Sequence, residues 1–202
     1  MASSPTAEKQ WVAFIGARRI DSGPAARVAL TVKRAIDAGE RTPILVFDDE
    51  GRAVDIDARG SEHEVLARLG LDQDGTTPEP APHRESPAPR GRGRPRLGVV
   101  AREVTLLPRH WEWLAQQPGG ASAAVRRLID AARVANVDRD RIRQAKESAY
   151  RFISAMAGNE RGFEEATRAL FAGDQARFAA MTKTWPRDVR EHATLLASSV
   201  FD

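Results

Sequence analysis

The chain has 202 residues, of which 42% are hydrophobic, so it can form one domain or two small domains with a linker. It contains no cysteine, which excludes disulfides and thiolate-ligated metals. No apolar run approaches the roughly 20 residues that a membrane helix needs. The polar segment Met1–Gln10 does not resemble a secretory signal. We therefore expect a cytoplasmic protein that has no contact with a membrane.

The net charge of +3 is distributed unevenly along the chain. Residues 84–151 contain 15 basic and 7 acidic side chains, a net charge of +8, whereas residues 1–83 carry −4 and residues 152–202 carry −1. A polyanion such as DNA would bind best to the middle third, because neutralised phosphates release counterions there. A basic surface that serves only solubility is the alternative explanation.

Residues 1–71 are predicted to form a small α+β domain with the element order ββαββα. Apolar runs at 11–15 and 44–47 predict two strands, and a second short strand is expected to end near Gly23. Residues 53–57 alternate between apolar and acidic side chains, as a returning strand does.

Capping residues predict the two helices of this domain. Pro24 is placed at the start of the first helix and Gly39 at its end. Ser61 and Glu64 have the spacing of a capping box, which predicts a short helix through Leu69.

The next segment, residues 72–98, is predicted to be a disordered linker rich in proline and arginine. It contains six of the twelve prolines and almost no large apolar side chains. Such a composition buries too little surface to offset the entropy of ordering.

Residues 99–202 are predicted to form a strand, two helices and a C-terminal helical bundle. The strand covers 99–107, and a helix starts at Pro108 and ends at 117–120. A second helix begins at Ser122 with apolar residues at helical spacing. The bundle follows from about Arg139.

The segment Arg90–Arg96 is similar to an AT-hook, a reader of the minor groove in A·T tracts. Its matching core is Arg92, Gly93, Arg94, Pro95 and Arg96, and Arg90 is expected to contact DNA beside it. A narrow minor groove attracts inserted arginines, because its negative potential is enhanced. Glycine avoids the groove wall and proline keeps the chain extended. A flexible charged linker is the alternative interpretation.

Residues 100–134 resemble the ribbon–helix–helix family of bacterial repressors in the order strand, helix, glycine-containing turn, serine and helix. The resemblance implies a homodimer, in which residues 100–107 of two chains pair into a ribbon that enters the major groove. It also implies phosphate contacts near Ser122 and Arg126, where the second helix begins. An ordinary helical hairpin within the bundle is the alternative.

The predicted strand departs from that family's alternation of polar readers and apolar core residues. If Leu107 belongs to the core, Val104 and Leu106 face the DNA and read bases poorly. If Val104 and Leu106 belong to the core, Thr105 and the preceding acidic residue face outward, and a carboxylate there is unfavourable unless it accepts from cytosine. Arg102 lies opposite Thr105 in either phase. A ribbon that forms the dimer but does not read bases directly is therefore a further alternative.

Motifs for catalysis or metal binding are weak in this sequence. His63 and Glu64 do not begin a zinc-protease motif, because residue 67 is alanine. No glycine-rich phosphate loop follows a strand, and the aspartates at 48–57 fit turns and a solvated strand face. We therefore expect no catalytic residue, no metal and no cofactor.

The whole chain also resembles a bacterial family known only as a domain of unknown function. The resemblance rests on Ser22–Pro24, Pro43–Asp49, Arg94–Trp111 and Tyr150–Ala157. It covers nearly the full length and implies no activity.

From the residues we expect a non-enzymatic DNA-binding protein, either a transcriptional regulator or a nucleoid-associated factor. The arginine segment would enter the minor groove, while Arg102, Thr105, Ser122 and Arg126 would contact the duplex. Two alternatives stay open. One is a protein-interaction module with a basic tether, and the other is an RNA-binding protein, since arginine-rich segments also fold on RNA.

Overall fold

A computed structural model describes residues 9–71, 100 and 102–201 of the chain. The fold is mixed α+β, with a three-stranded sheet near the N-terminus and a mostly helical remainder. The strands are β1 (Gln10–Ile15), β2 (Arg18–Pro24) and β3 (Ile44–Asp48). The helices of the described residues are α1 (Ala25–Asp37), α2 (Glu62–Arg68), α3 (Pro108–Ala115), α4 (Gly120–Ala157), α5 (Phe163–Ala172), α6 (Gln175–Met181), α7 (Arg187–Leu196) and α8 (Ser198–Phe201). The predicted linker, residues 72–98, lies outside the described residues.

The sheet is antiparallel in the order β2-β1-β3, so the first strand lies at its centre. Val12 and Phe14 point to one face and join a core with the C-terminal helices. Trp11 and Ala13 point to the other face and pack with α1. Because β1 is covered on both faces, its sequence is continuously apolar rather than alternating.

The core on the first face joins segments that are far apart in the sequence. Phe152 of α4 lies between Phe14 and Phe47 of the sheet, with ring centroids 5.5 and 5.1 Å away. Buried residues of α5 to α7, among them Leu170, Phe178 and Val189, belong to the same cluster. The N-terminal sheet and the C-terminal helices therefore share one hydrophobic core.

The chain forms two compact units, and their division differs from the predicted domains 1–71 and 99–202. The described residues of the first unit are 9–71 and 138–201, and those of the second are 100 and 102–137. The sheet has two apolar faces and α1 covers only one of them. The helices after residue 138 cover the other, so the first unit is discontinuous in sequence.

The predicted capping residues of the first two helices are confirmed. Pro24 precedes α1, and Gly39 follows it with φ of +88°. The Ser61 hydroxyl accepts from the backbone N–H of Glu64, whose carboxylate accepts from the backbone N–H of Ser61. Both orphan donors at the start of α2 are thus satisfied.

The strand predicted at residues 53–57 is wrong, because only an isolated bridge joins Ala53 to Phe47. The described order is therefore ββαβα. Val54 and Ile56 still pack against the core beside α1, which explains the alternation that predicted a strand. The Asp57 carboxylate accepts from the backbone N–H and the guanidinium of Arg59, so local turn chemistry replaces ladder pairing.

The two helices predicted around residues 122–134 and from Arg139 are one helix of 38 residues, α4. No glycine or proline stands between residues 121 and 157, so nothing in this segment breaks the helix. Ser122 is not the predicted N-cap, because the helix starts at Gly120.

The remaining predicted helix boundaries are confirmed. Pro108 is the first residue of α3, and Gly173 ends α5 with φ of +73°. The Asp174 carboxylate caps α6 by accepting from the backbone N–H of Arg177 at 2.9 Å. The C-terminal apolar stripes are largely buried, as Phe152, Ile153 and Leu170 show.

Gly51 offers a test of the packing between the β3 turn and α4. Its φ is +68°, and a Cβ there would overlap the Ser148 carbonyl of α4. Gly39→Ala is the matched control, because Gly39 also has positive φ but open space around it. Backbone strain alone costs about 1–2 kcal/mol, and the overlap adds about 1–3 kcal/mol in Gly51→Ala. Urea denaturation measures both losses, and equal losses would contradict the close approach.

His192 is buried beside Phe14 and Phe152, and neither of its ring nitrogens has a hydrogen-bond partner among the described residues. Its ring lies 4.6 Å from Phe152 and 5.9 Å from Phe14, measured between centroids. Burial, with a smaller effect of the Arg19 charge, lowers the pKa of His192 from 6.5 to about 4. The folded state therefore holds this side chain neutral while the unfolded chain takes up a proton.

This burial predicts an acid-sensitive stability. As pH falls from 6.5 to about 4, the unfolded state binds the proton first, so the free energy of unfolding decreases by up to about 3 kcal/mol. His192→Phe removes this contribution, because the variant has no group to titrate there. Denaturant titrations at each pH should show the free energy of unfolding of the natural protein falling relative to that of His192→Phe as the pH decreases from 6.5 to about 4. Parallel pH profiles would refute it.

Candidate nucleic-acid interface

Six of the predicted contact residues cannot be placed. Arg90, Arg92, Gly93, Arg94, Pro95 and Arg96 all lie outside the described residues. The AT-hook resemblance therefore stays a prediction from the sequence. The other four, Arg102, Thr105, Ser122 and Arg126, all lie in the second unit and have exposed side chains.

Arg102 and Thr105 lie in the segment 102–107, directly before α3. This segment belongs to no strand in the described part of the chain. Leu106 is half-buried and lines an apolar groove, whereas Leu107 is 49% exposed. Leu106 therefore faces inward, but Val104, which would share its side of a strand, is 63% exposed, so the segment follows neither predicted phase.

The turn between α3 and α4 contains two glycines and is bridged by a side-chain hydrogen bond. Gly119 and Gly120 have φ of +83° and +75°, which residues with a Cβ rarely adopt. The Arg127 guanidinium donates to the Pro118 carbonyl at 2.9 Å. The turn thereby sets the start of α4 and, with it, the direction of the residues that follow.

Ser122, Arg126 and Arg133 share one face of α4, because they are separated by four and seven residues. All three side chains are exposed. Asp130 lies on the same face between the two arginines, and its carboxylate would repel a bound phosphate. The face is therefore basic but contains one opposing charge.

Four exposed arginines of the second unit have neither an ion pair nor a side-chain hydrogen bond within the described residues, unlike Arg127, which donates to Pro118: Arg102, Arg109, Arg126 and Arg133. The sequence analysis identified Arg102 and Arg126 but did not single out Arg109 or Arg133. The spacing of seven residues between Arg126 and Arg133 was the signal that would have found the latter.

Many arginines of the first unit are held by carboxylates instead. Arg27 pairs with Asp21 at 2.7 Å, and Arg34 pairs with Glu62 at 2.7 Å. The pair with Arg34 lowers the pKa of Glu62. Such an arginine must lose its carboxylate partner before it binds a phosphate, and this loss reduces the free energy gained on binding.

Basic residues further along α4 also have partners within the first unit. Arg141 lies 3.6 Å from Asp138, and Arg143 lies 3.0 Å from Asp140. The Lys146 ammonium donates to the Phe171 carbonyl at 2.6 Å. These residues fit a solvated, charge-balanced face better than a phosphate track.

A polar cleft of about 700 Å³ lies in the first unit beside the β3 turn. Its walls carry both signs of charge, and two of its arginines pair with neighbouring acids, Arg52 with Glu50 and Arg151 with Glu147. Among the described residues, no group of three or more histidines or carboxylates is arranged to hold a metal ion. The cleft does not define a reaction.

Fold and surface together define an α+β protein with a basic helical hairpin inserted into the sequence of its larger unit. The chain belongs to the bacterial family described as "uncharacterized protein conserved in bacteria (DUF2239)", whose model matches residues 10–197. No curated protein and no solved structure matches the chain. No helix in the described ranges has the length and apolar character needed to cross a membrane.

Proposed function

We propose that the chain is a non-enzymatic DNA-binding protein that contacts phosphates through its second unit. The observation that carries this proposal is a set of exposed arginines that make no ion pair and no side-chain hydrogen bond to any described residue, Arg102, Arg109, Arg126 and Arg133. They lie within the part of the chain that carries a net charge of +8, residues 84–151.

An unpaired, exposed arginine is well suited to bind a phosphate. It loses no carboxylate partner on binding, and its planar guanidinium donates two parallel hydrogen bonds to phosphate oxygens. Each phosphate that it neutralises also releases counterions, so affinity falls as salt rises. The second unit thus has the charge and the free donors that duplex binding requires.

The segment Arg90–Arg96 comes just before the described residues of this unit in the sequence and supplies the proposed minor-groove contact. Its Arg-Gly-Arg-Pro sequence fits a narrow A·T groove, for the reasons of charge and shape given above. Phosphate contacts position a protein on DNA, whereas groove contacts discriminate between sequences. The second unit would therefore supply most of the affinity for DNA, and the segment Arg90–Arg96 would supply the preference for A·T-rich sequences.

A regulator or a nucleoid-associated factor in the cytoplasm is the biological role that fits this chemistry. A protein-interaction module is the second candidate, and the exposed apolar side chains of the second unit favour it. The candidates differ in one respect, because only the first requires the arginines.

The first test is a titration of labelled A·T-rich and G·C-rich duplexes at several salt concentrations. We expect tighter binding to the A·T-rich duplex and a salt slope of roughly −0.9 for each phosphate neutralised. Replacing Arg92, Arg94 and Arg96 together by alanine should remove the preference and flatten the slope. No binding of either duplex at low salt would contradict the proposal. If RNA competes for the protein more strongly than duplex DNA does, RNA is the preferred ligand instead.

The second test uses the exposed face of α4. Arg126→Ala and Arg133→Ala should each reduce the magnitude of the salt slope by about one, while Asp130→Asn should tighten binding because it removes the opposing charge. Arg34→Ala, in the first unit, is the matched control, since Arg34 pairs with Glu62. Equal losses in all three arginine variants would show that binding depends on net charge and not on this face.

A further inference from the structure

The polar cleft of about 700 Å³ lies entirely within the first unit. One wall is the β3 turn, which contributes Asp49, Glu50 and Arg52, and another is α4, which contributes several residues of 143–151. The volume falls in the range of about 300–1,000 Å³ that is typical of small-molecule sites. Sites for apolar ligands are lined mainly by hydrophobic and aromatic side chains. The charged and polar walls of this cleft therefore suit a hydrophilic small molecule.

The two walls are held against each other by the protein itself, so the cleft exists before a ligand binds. β3 and α4 pack together in the shared core. Gly51 approaches α4 so closely that a Cβ would overlap the Ser148 carbonyl. The Arg151 guanidinium donates to the Glu50 carbonyl at 3.1 Å and thereby links α4 to the turn. A preformed site loses little conformational entropy on binding.

Three polar side chains that line the cleft have no partner in the described part of the protein. Asp49, Gln144 and Ser148 make neither an ion pair nor a side-chain hydrogen bond with any described residue. Ser148 is only 7% exposed, and buried polar groups are normally hydrogen-bonded. Gln144 and Ser148 are four residues apart, so they share one face of α4. A carboxylate, an amide and a hydroxyl thus line the same cleft and can all bond a ligand.

The negative charge in the cleft that a ligand can use belongs to Asp49. Its neighbours Glu50 and Glu147 are neutralised by Arg52 and Arg151. Asp49 has no such counter-charge among the described residues. A ligand ammonium would therefore pair with Asp49 and break no existing ion pair.

The positive charge that a ligand can use most readily belongs to Arg143. Its partner is Asp140, 3.0 Å away and one turn earlier on α4, and both side chains are largely exposed to solvent. Exposed ion pairs of this kind are weak. Arg143 lines the cleft, whereas Asp140 is not one of its lining residues. A ligand carboxylate can therefore replace Asp140 as the partner of Arg143 at low cost.

We propose that this cleft binds a zwitterion with the chemistry of a free amino acid whose side chain is polar and uncharged. The ammonium of the ligand pairs with Asp49 and its carboxylate with Arg143. Its amide or hydroxyl side chain bonds to Gln144 and Ser148. The inference does not depend on DNA binding, because every lining residue of the cleft belongs to the first unit.

Ligands that carry only one sign of charge fit the cleft less well. A simple anion would meet the unpaired carboxylate of Asp49, and a simple cation would meet the guanidinium of Arg143. Like charges brought together in this way are disfavoured, so the walls discriminate against both. A molecule with both charges satisfies both groups at once.

The first test is thermal denaturation of the full chain with each standard amino acid in turn, followed by isothermal titration calorimetry. A ligand that binds only the folded state raises the melting temperature. We expect polar, uncharged amino acids to raise it most. N-acetyl-L-glutamine lacks the ammonium and L-glutamine amide lacks the carboxylate, so each should bind about tenfold more weakly than L-glutamine. No stabilisation by a polar, uncharged amino acid, or equal binding of both analogues, would overturn the proposal.

The second test uses variants of the cleft with L-glutamine as the probe. Asp49→Asn should raise the dissociation constant about tenfold or more, because it removes the charge that pairs with the ammonium. Ser148→Ala should raise it about fivefold but should not lower the stability of the free chain, since the hydroxyl has no protein partner. Asp55→Asn is the matched control, because Asp55 is an exposed carboxylate of the same unit that also lacks a described partner and lies outside the cleft.

The outcomes of the second test separate a built site from general attraction between charges. Circular dichroism verifies that all three variants keep their helices, as expected for side chains without partners in the fold. Equal weakening by Asp49→Asn and Asp55→Asn would contradict the assignment of the ligand to the cleft. L-glutamine binding that neither Asp49→Asn nor Ser148→Ala weakens would contradict it as well.

Discussion

The packing of Phe152 between Phe14 and Phe47 is the contact on which the larger unit depends. It joins the central and edge strands of the sheet to a residue of α4 that lies more than one hundred residues later in the chain. Aromatic pairs at such spacings contribute about 0.5–1.5 kcal/mol each beyond the area that they bury. Without the C-terminal helices, one face of this three-stranded sheet would be exposed to water.

That contact also explains the division of the chain. The sheet takes its cover from residues after 138, and no described residue of the segment between the two halves of the unit belongs to this core. Its described part, residues 100 and 102–137, has two buried apolar side chains and four unpaired arginines. Stability and surface chemistry are thus assigned to different parts of the sequence. The buried aromatic residues hold the fold, and the inserted unit presents charge and apolar surface.

Local features of the fold were predictable from the sequence. The capping box of Ser61 and Glu64, the glycine that ends α5 and the Asp174 cap depend only on residues within one turn, so their patterns are sufficient. The strand predicted at 53–57 was wrong because alternation reports burial, and Val54 and Ile56 are part-buried without a full ladder. Alternation alone does not distinguish these two cases.

Long-range features were not predictable in the same way. The shared core joins Phe14 to Phe152 across the whole chain, and no local pattern specifies that pairing. The candidate interface also depends on long-range contacts, because an arginine can bind phosphate readily only if the fold brings no carboxylate close to it. Charge counting located the basic third of the chain, but only the structure separates the paired Arg143 from the unpaired Arg133.

The central claim, that the second unit and the segment before it contact DNA, is tested most directly by mapping the contact itself. The full chain would be photo-cross-linked to an A·T-rich duplex, and the cross-linked peptides identified by mass spectrometry. The account predicts cross-links within residues 84–137, including peptides that contain Arg126 or Arg133. Cross-links confined to residues 9–71 and 138–201 would contradict it.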